Sequence, residues 1–240
     1  MRILRCRDAE QFNAQAALLL RTRIEENPKL VLAPPAGRTP KGMYRVMAEE
    51  ARARPLDCSG LTLFAIDEIV FEGPGGFRFW QDVEEDFLAW ARVPAERCHQ
   101  FDLAAPDLAA ICTRYEAAIR DAGGLDLVVM GLGENGHIAS NEPGSPFDSR
   151  TRPVALTQRT LRQFFPNPHP LAPKPWTALT LGIATLLEAR SIVVLVAGPH
   201  KRRALRALLE APASDAFPST ALRGHRDVTV IVDTAAYPSD

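Results

Sequence analysis

What this 240-residue chain lacks narrows the reading first. No apolar run approaches the roughly 20 residues that span a bilayer, and Met1-Arg2-Ile3-Leu4-Arg5 is not followed by a secretory apolar core. A soluble, cytoplasmic protein without a membrane role is expected. A basic excess is also missing: 28 Lys and Arg face 29 Asp and Glu, a formal net charge of -1, so no positive field points to nucleic acid. Four cysteines, Cys6, Cys58, Cys98 and Cys112, lie far apart without a C-x-x-C, which argues against a disulfide framework or zinc knot. There is no H-E-x-x-H, and His99, His169 and His225 show no ligand spacing, so neither a metal nor a cofactor is expected. Internal repeats and low-complexity tracts are absent.

What is there is a chain that is 46% hydrophobic and long enough to bury a full core, read as one domain over residues 1–240. Phe12, Ala16, Leu19, Leu20 and Ile24 recur at helical spacing between Asp8, a cap, and Asn27. A short strand at Leu30–Ala33 then runs into Pro34-Pro35-Ala36-Gly37-Arg38-Thr39-Pro40 and a second helix to about Arg54. Thr39 suits the N-cap and Pro40 the first helical position, so the turn is either a capped helix start or a phosphate seat to which Arg38 and Lys41 add charge. The next strand, Leu61–Ile66, ends in the carboxylate pair Asp67-Glu68, which caps a turn or serves chemistry. After a connection containing Gly73, Gly75 and Gly76, helices are expected at Phe79–Trp90 and Ala105–Ala122. Alternating strands and helices argue for a doubly wound, mostly parallel α/β sheet with helices on both faces.

Leu125, Leu127, Val128, Val129 and Met130 read as a strand covered on both sides, ended by Gly131. Glu134, Asn135, His137, Asn141 and Glu142 follow in a polar loop, where open α/β sheets bind ligands. Gly131-Leu132-Gly133-Glu134-Asn135-Gly136 matches G-x-G-x-x-G, but Pro143, Gly144 and Pro146 forbid the helix that a dinucleotide site needs. Residues 149–176 show little periodicity and carry five prolines between Pro166 and Pro175, with His169 and Lys174 among them; this is a candidate lid. Strands are then expected at Ala178–Ile183, Ile192–Val196 and Val228–Val232, with short helical residues Ala184–Glu188 between the first two. A helix opens at Gly198-Pro199-His200-Lys201. Lys201 opposes the helix dipole there, which a bound phosphate or simple solvation would reconcile.

Gly131-Leu132-Gly133-Glu134-Asn135-Gly136-His137-Ile138-Ala139-Ser140-Asn141-Glu142-Pro143-Gly144 resembles the signature of the glucosamine-6-phosphate deaminases, whose superfamily also holds the 6-phosphogluconolactonases. Gly37-Arg38-Thr39-Pro40, Asp67-Glu68, Phe77-Arg78-Phe79-Trp80, Ala178-Leu179-Thr180-Leu181-Gly182-Ile183 and Gly198 with Lys201 spread the likeness along the chain. It implies a Rossmann-like domain, a hydrolase/isomerase enzyme, and the conversion of glucosamine 6-phosphate into fructose 6-phosphate and ammonia. Asp67 then matches the proton-shuttling base, His137 the ring-opening acid/base, and Glu142 and Asn135 the groups that orient it. Gly37, Arg38, Thr39 and Lys201 match the phosphate contacts, with Glu68 beside them and Arg162, before Gln163-Phe164-Phe165, as the arginine. The partner is a small hexosamine phosphate, and oligomers are frequent in the family, which leaves a homo-oligomer open. Two departures stand out: Arg38 replaces a small residue and Ser140 replaces Phe. They leave room for galactosamine 6-phosphate as substrate. The lactonase reading and a non-catalytic sugar-phosphate sensor are the further alternatives; Ile138 and Asn141-Glu142 argue against the first, and Asp67, His137 and Glu142 together against the second.

Overall fold

The near-continuous apolar runs become the buried middle of a parallel sheet. The computed structural model describes residues 1–70, 78–164 and 176–237. In chain order, β1 (Arg2–Cys6) leads to α1 (Ala9–Glu26), β2 (Val31–Ala33), α2 (Lys41–Ala53) and β3 (Thr62–Phe64). Then come β4 (Asp67–Val70), α3 (Phe79–Val83) with a π turn Glu84–Leu88, α4 (Ala89–Ala91), β5 (Cys98–His99), α5 (Leu108–Asp121) and β6 (Leu127–Gly131). The second half supplies β7 (Arg152–Ala155), α6 (Gln158–Phe164), β8 (Thr177–Thr180), α7 (Ile183–Leu187), β9 (Ser191–Val196), α8 (Arg202–Glu210) and β10 (Val228–Asp233).

Seven strands form a parallel sheet in the order β1-β10-β9-β6-β2-β3-β5. Every residue of β9 is buried, as are Leu127–Met130 of β6 and Val228–Val232 of β10, so these strands carry apolar residues in succession rather than in alternation. From β2 the chain builds outward to β3 and β5, then returns to place β6 on the other side of β2. The strand order thus reverses between β2 and β6, which is where open α/β sheets form a crevice beyond the strand ends.

Local capping explains where helices begin. The Asp8 side chain accepts from Gln11 N at 2.8 Å and starts α1, whose Phe12, Ala16, Leu19, Leu20 and Ile24 are all buried. Asp107 does the same for α5 through Ala110 N at 3.0 Å. The start of α2 departs from expectation: its cap position is Pro40, no side chain caps it, and Thr39 lies in the preceding turn. Tyr44, buried against Phe87, donates its hydroxyl to Pro35 O at 2.8 Å and so ties that turn to the helix body.

A second sheet stands beside the first. β4, β8 and β7 pair antiparallel, with Asp67 opposite Thr180 and Arg152 opposite the same threonine on its other side. The expected strand Leu61–Ile66 is therefore shorter, and the chain passes from one sheet to the other between Phe64 and Asp67. Asp67 opens a strand instead of ending one. Part of the candidate lid is regular structure too, since β7 and α6 occupy it; its remaining residues 165–175, with His169 and Lys174, lie outside the described residues, as do Gly73, Gly75 and Gly76. No helix among the described residues is long and apolar enough to cross a membrane. The cysteines are free, and burial pushes the Cys58 thiol up to about 12 and that of Cys112 up to about 11.

Candidate active site

A cavity of about 600 Å³ opens at the crevice between β2 and β6, within the range that holds small metabolites. Pro35–Thr39 after β2, Ile66 and Asp67 after β3, Met130–Glu134 and His137 at and after β6, and Ala197, His200 and Lys201 after β9 all line it. Four separate strand ends thus converge on one volume.

His137 is held by a relay of amide and carboxylate. Its Nδ1 lies 2.8 Å from Asn135 Oδ1, while Asn135 Nδ2 donates to Glu142 Oε2 at 2.7 Å. The carboxylate can only accept, so it fixes which end of the amide faces the ring; the Asn135 oxygen then requires the proton on His137 Nδ1 and leaves Nε2 as an acceptor. Glu142 is itself anchored, with Oε1 accepting from Thr157 N at 3.2 Å and Thr157 Oγ1 at 3.1 Å. The ring packs on Gly133, where a Cβ would meet its atoms at 2.4 Å, so no larger residue fits beneath it. Burial holds the His137 pKa down at about 4 against the opposing charge of Glu142, with Lys201 lowering it further. The imidazole is neutral at pH 7, able to take a proton from a hydroxyl and pass it on.

Asp67 has the opposite perturbation. Burial pushes its carboxyl up to about 7, opposed by a hydrogen bond from Ser140 Oγ at 2.6 Å and reinforced by the charge of Glu68. A carboxylate with that affinity can both accept a carbon-bound proton and return it near neutral pH. Two titratable groups pushed in opposite directions in one cavity are the pattern of an acid/base site.

Cations gather where the loops after β2 and β9 meet. Lys201, largely buried, is held down at about 8 by its burial; Glu134 opposes this, and Arg38 and Arg159 add to it by repulsion. A cluster of positive groups brought that close favours an anion among them. The backbone there is partly occupied: Gly37 N donates to Asp82 Oδ2 at 3.0 Å, and Lys41 Nζ reaches Asp82 Oδ1 at 3.0 Å and Asp86 Oδ2 at 3.2 Å. Lys41 is therefore neutralised within the wall. Gly37 has φ +87°, a conformation that disfavours side chains.

Asp67, His137, Gly37, Arg38, Thr39 and Lys201 line the cavity, with Asn135 and Glu142 directly behind the histidine. Glu68 does not join them. It is buried, and its carboxylate accepts from the backbone N–H groups of Ile69, Phe79 and Trp80 at 2.9, 2.7 and 3.0 Å, serving the start of α3. Arg162 is exposed on α6 and absent from the cavity wall; the arginine of that helix tied to the loop is Arg159, 3.3 Å from Glu134 Oε2. Three residues apart, the two arginines share one helix face, so sequence position beside Phe164-Phe165 gave no means of choosing between them. Asp82 and Thr157 were missed, and Ser140, singled out as a departure, gave no sign of its contact with Asp67, because each reaches the site through tertiary packing. Among the described residues no group of three or more His, Cys, Asp or Glu side chains could hold a metal ion.

Known proteins resemble the chain throughout. The family model described as glucosamine-6-phosphate isomerases/6-phosphogluconolactonase matches residues 7–231. A glucosamine-6-phosphate deaminase of Bacillus velezensis is 34% identical, covering all of both chains, and one of Rhodopirellula baltica is 38% identical over 95% of this chain and 92% of its own. Among solved structures, a monomeric glucosamine-6-phosphate deaminase superposes with a TM-score of 0.90 at 33% identity, covering 98% of each chain. The 6-phosphogluconolactonase of Thermotoga maritima shares the fold, with a TM-score of 0.76 at 22% identity over 97% of this chain and 99% of its own. On this evidence the chain belongs to the glucosamine-6-phosphate isomerase/6-phosphogluconolactonase family.

Proposed function

We propose that the chain is an aldose-ketose isomerase with coupled deamination, converting glucosamine 6-phosphate and water into fructose 6-phosphate and ammonia. The observation that carries this reading is the joint placement of Asp67 and His137, whose Nδ1 is taken up by Asn135, in one cavity that is also lined by Arg38 and Lys201. Its full-length relatives that bear a deaminase name support the same class over the lactonase and sensor readings.

The residues divide the reaction between them. Arg38, Lys201 and the Thr39 backbone hold the phosphate, and Arg159, paired with Glu134, adds positive charge near Lys201. Neutral His137 takes the proton of the anomeric hydroxyl and gives it to the ring oxygen, which opens the sugar to its aldehyde. Glu142 and Asn135 keep its Nδ1–H in place throughout. Asp67, ionised, removes the proton from C2 while a proton of the C2 ammonium passes to the C1 oxygen, which gives an enolamine; Asp67 then returns its proton to C1, leaving an iminium at C2. Water adds at C2, the C–N bond breaks, and ammonia leaves the ketose phosphate. The hydrolytic part of the reaction is this last exchange.

We read the chain as monomeric and cytoplasmic. Met1 and Leu18 are the exposed large hydrophobic residues among those described, and the structural neighbour at 33% identity is called monomeric. Gel filtration eluting near 26.3 kDa checks the first point. Ammonia release from glucosamine 6-phosphate and galactosamine 6-phosphate, beside 6-phosphogluconolactone hydrolysis on the same preparation, tests the activity. Ammonia from the gluco epimer is expected; lactone opening without ammonia would overturn the reading, and preference for the galacto epimer would correct the substrate.

A further inference from the structure

The hydrogen bond from Ser140 to Asp67 is a feature that the reaction outlined above does not use. Ser140 Oγ lies 2.6 Å from Asp67 Oδ2, Asp67 lines the cavity, and among the described residues no protein donor reaches Oδ1. Resting on the proposed activity, we propose that Ser140 is a positioning residue for the proton-transfer carboxylate: its hydroxyl clamps Oδ2 and leaves Oδ1 as the oxygen that takes and returns the substrate proton.

The serine is placed with more constraint than packing alone requires. It is buried, and its N–H donates to Thr180 Oγ1 at 3.1 Å, on the residue that pairs with Asp67 across β4 and β8. Asn141, next in the chain, spans the turn, with Nδ2 donating to Ile138 O at 3.0 Å and Leu181 O at 2.9 Å and Oδ1 accepting from Arg152 Nη1 at 2.8 Å. Ala139, just before, has φ +49°, a left-handed conformation that a non-glycine residue holds only when its surroundings impose it. The strained turn and the strand register together bring the hydroxyl to the carboxylate. A serine hydroxyl has a single proton to donate, and here Asp67 receives it.

That proton stabilises the ionised base against the burial that opposes it. It also restrains rotation of the carboxyl, so that one oxygen stays aimed into the cavity. The other charged or titratable groups around Asp67 are Glu68 on β4, His137 and Glu134 after β6, His200 and Lys201 after β9, Arg38 and Lys41 after β2, and Asp82 on α3. Of these, only Glu68 has a resolved effect on Asp67, and it acts in the direction opposite to Ser140.

The test is the pH profile of kcat/KM for ammonia release by the wild type and by Ser140→Ala. The variant is expected to keep its KM within about twofold and to lose roughly tenfold in kcat. Its acidic limb should move upward by about one pH unit, the size expected for one hydrogen bond to a charged group. In D2O, a smaller fraction of its product should carry the substrate's own C2 hydrogen at C1, because a loosened carboxyl exchanges its proton with solvent more often. A limb and a retained-hydrogen fraction that match the wild type would overturn the inference, whatever happens to kcat. Should Ser140→Ala fail to fold, Ser140→Cys, a weaker donor, is expected to move the limb in the same direction by less; an unmoved limb there also overturns it. A wild type that releases no ammonia from either hexosamine phosphate would overturn the functional reading itself, which separates that failure from this one.

Discussion

Replacing Asp67 by Asn removes a charge that the fold is expected to bury at a cost, so the change should abolish turnover while stabilising the protein in a pH-dependent way. The folded pKa is about 7, against 3.8 for the free side chain. Because the folded value is raised, the native state binds more protons than the unfolded chain between those limits, and stability attributable to this group falls as pH rises through that window. Integrated from pH 4.5 to pH 8, the loss is about 3 kcal/mol at 1.36 kcal/mol per pKa unit. His137 acts in the opposite sense: its folded pKa of about 4 lies below 6.5, so its contribution rises with pH over much of the same range. The two trends mask each other in the wild type, and only the difference between wild type and Asp67→Asn isolates the carboxylate. Urea unfolding at half-unit pH steps measures it. The stability advantage of the variant should grow by about 3 kcal/mol from pH 4.5 to 8, a midpoint shift of about 1 M for a slope of about 3 kcal/mol/M, and level off above pH 7. An advantage that stays constant across that range would refute the argument that Asp67 is a buried base with a raised pKa, and retained ammonia release would refute its role.

Lys201→Ala should raise KM for the hexosamine phosphate about tenfold or more with a small effect on kcat, since a phosphate contact made throughout the reaction contributes uniform binding; a kcat loss at unchanged KM would contradict it. Arg159→Ala is expected to raise KM several-fold while exposed Arg162→Ala leaves it within about twofold, and steady-state kinetics on the pair decide which arginine of α6 serves the site. Asn135→Ala removes the oxygen that fixes the His137 tautomer, so kcat should drop by roughly 10- to 100-fold at near-constant KM, with the loss concentrated in ring opening as read by comparing the two anomers. Gly133→Ala places a Cβ against the imidazole and should lower both activity and thermal stability, the latter by about 1–3 kcal/mol, in calorimetry.

The sheet was legible because its central strands are buried on both faces and so had to be apolar without interruption: 127–130, 192–196 and 228–232 could be read directly as strands. The loop after β6 was legible for a related reason, since Gly133 under an imidazole ring and a left-handed Gly136 leave little freedom in residue choice. That local chain order placed Asn135, His137 and Glu142 within one short segment, close enough to be read as a unit.

Contacts between distant parts of the chain left no comparable trace. Glu68 sits beside Asp67 in sequence, yet strand alternation turns it away to the N–H groups of Phe79 and Trp80 while Asp67 faces the cavity. The antiparallel trio β4-β8-β7 sets β4 against β8, far along the chain, and short strands of mixed burial carry too weak a period to announce such a pairing. Sequence by itself determined the doubly wound sheet and the identities of the groups capable of proton transfer and anion binding. Only the tertiary structure decided which carboxylate lines the cavity, which arginine of α6 pairs with Glu134, and that Ser140 meets Asp67, because each depends on side-chain direction and non-local register rather than on composition or spacing.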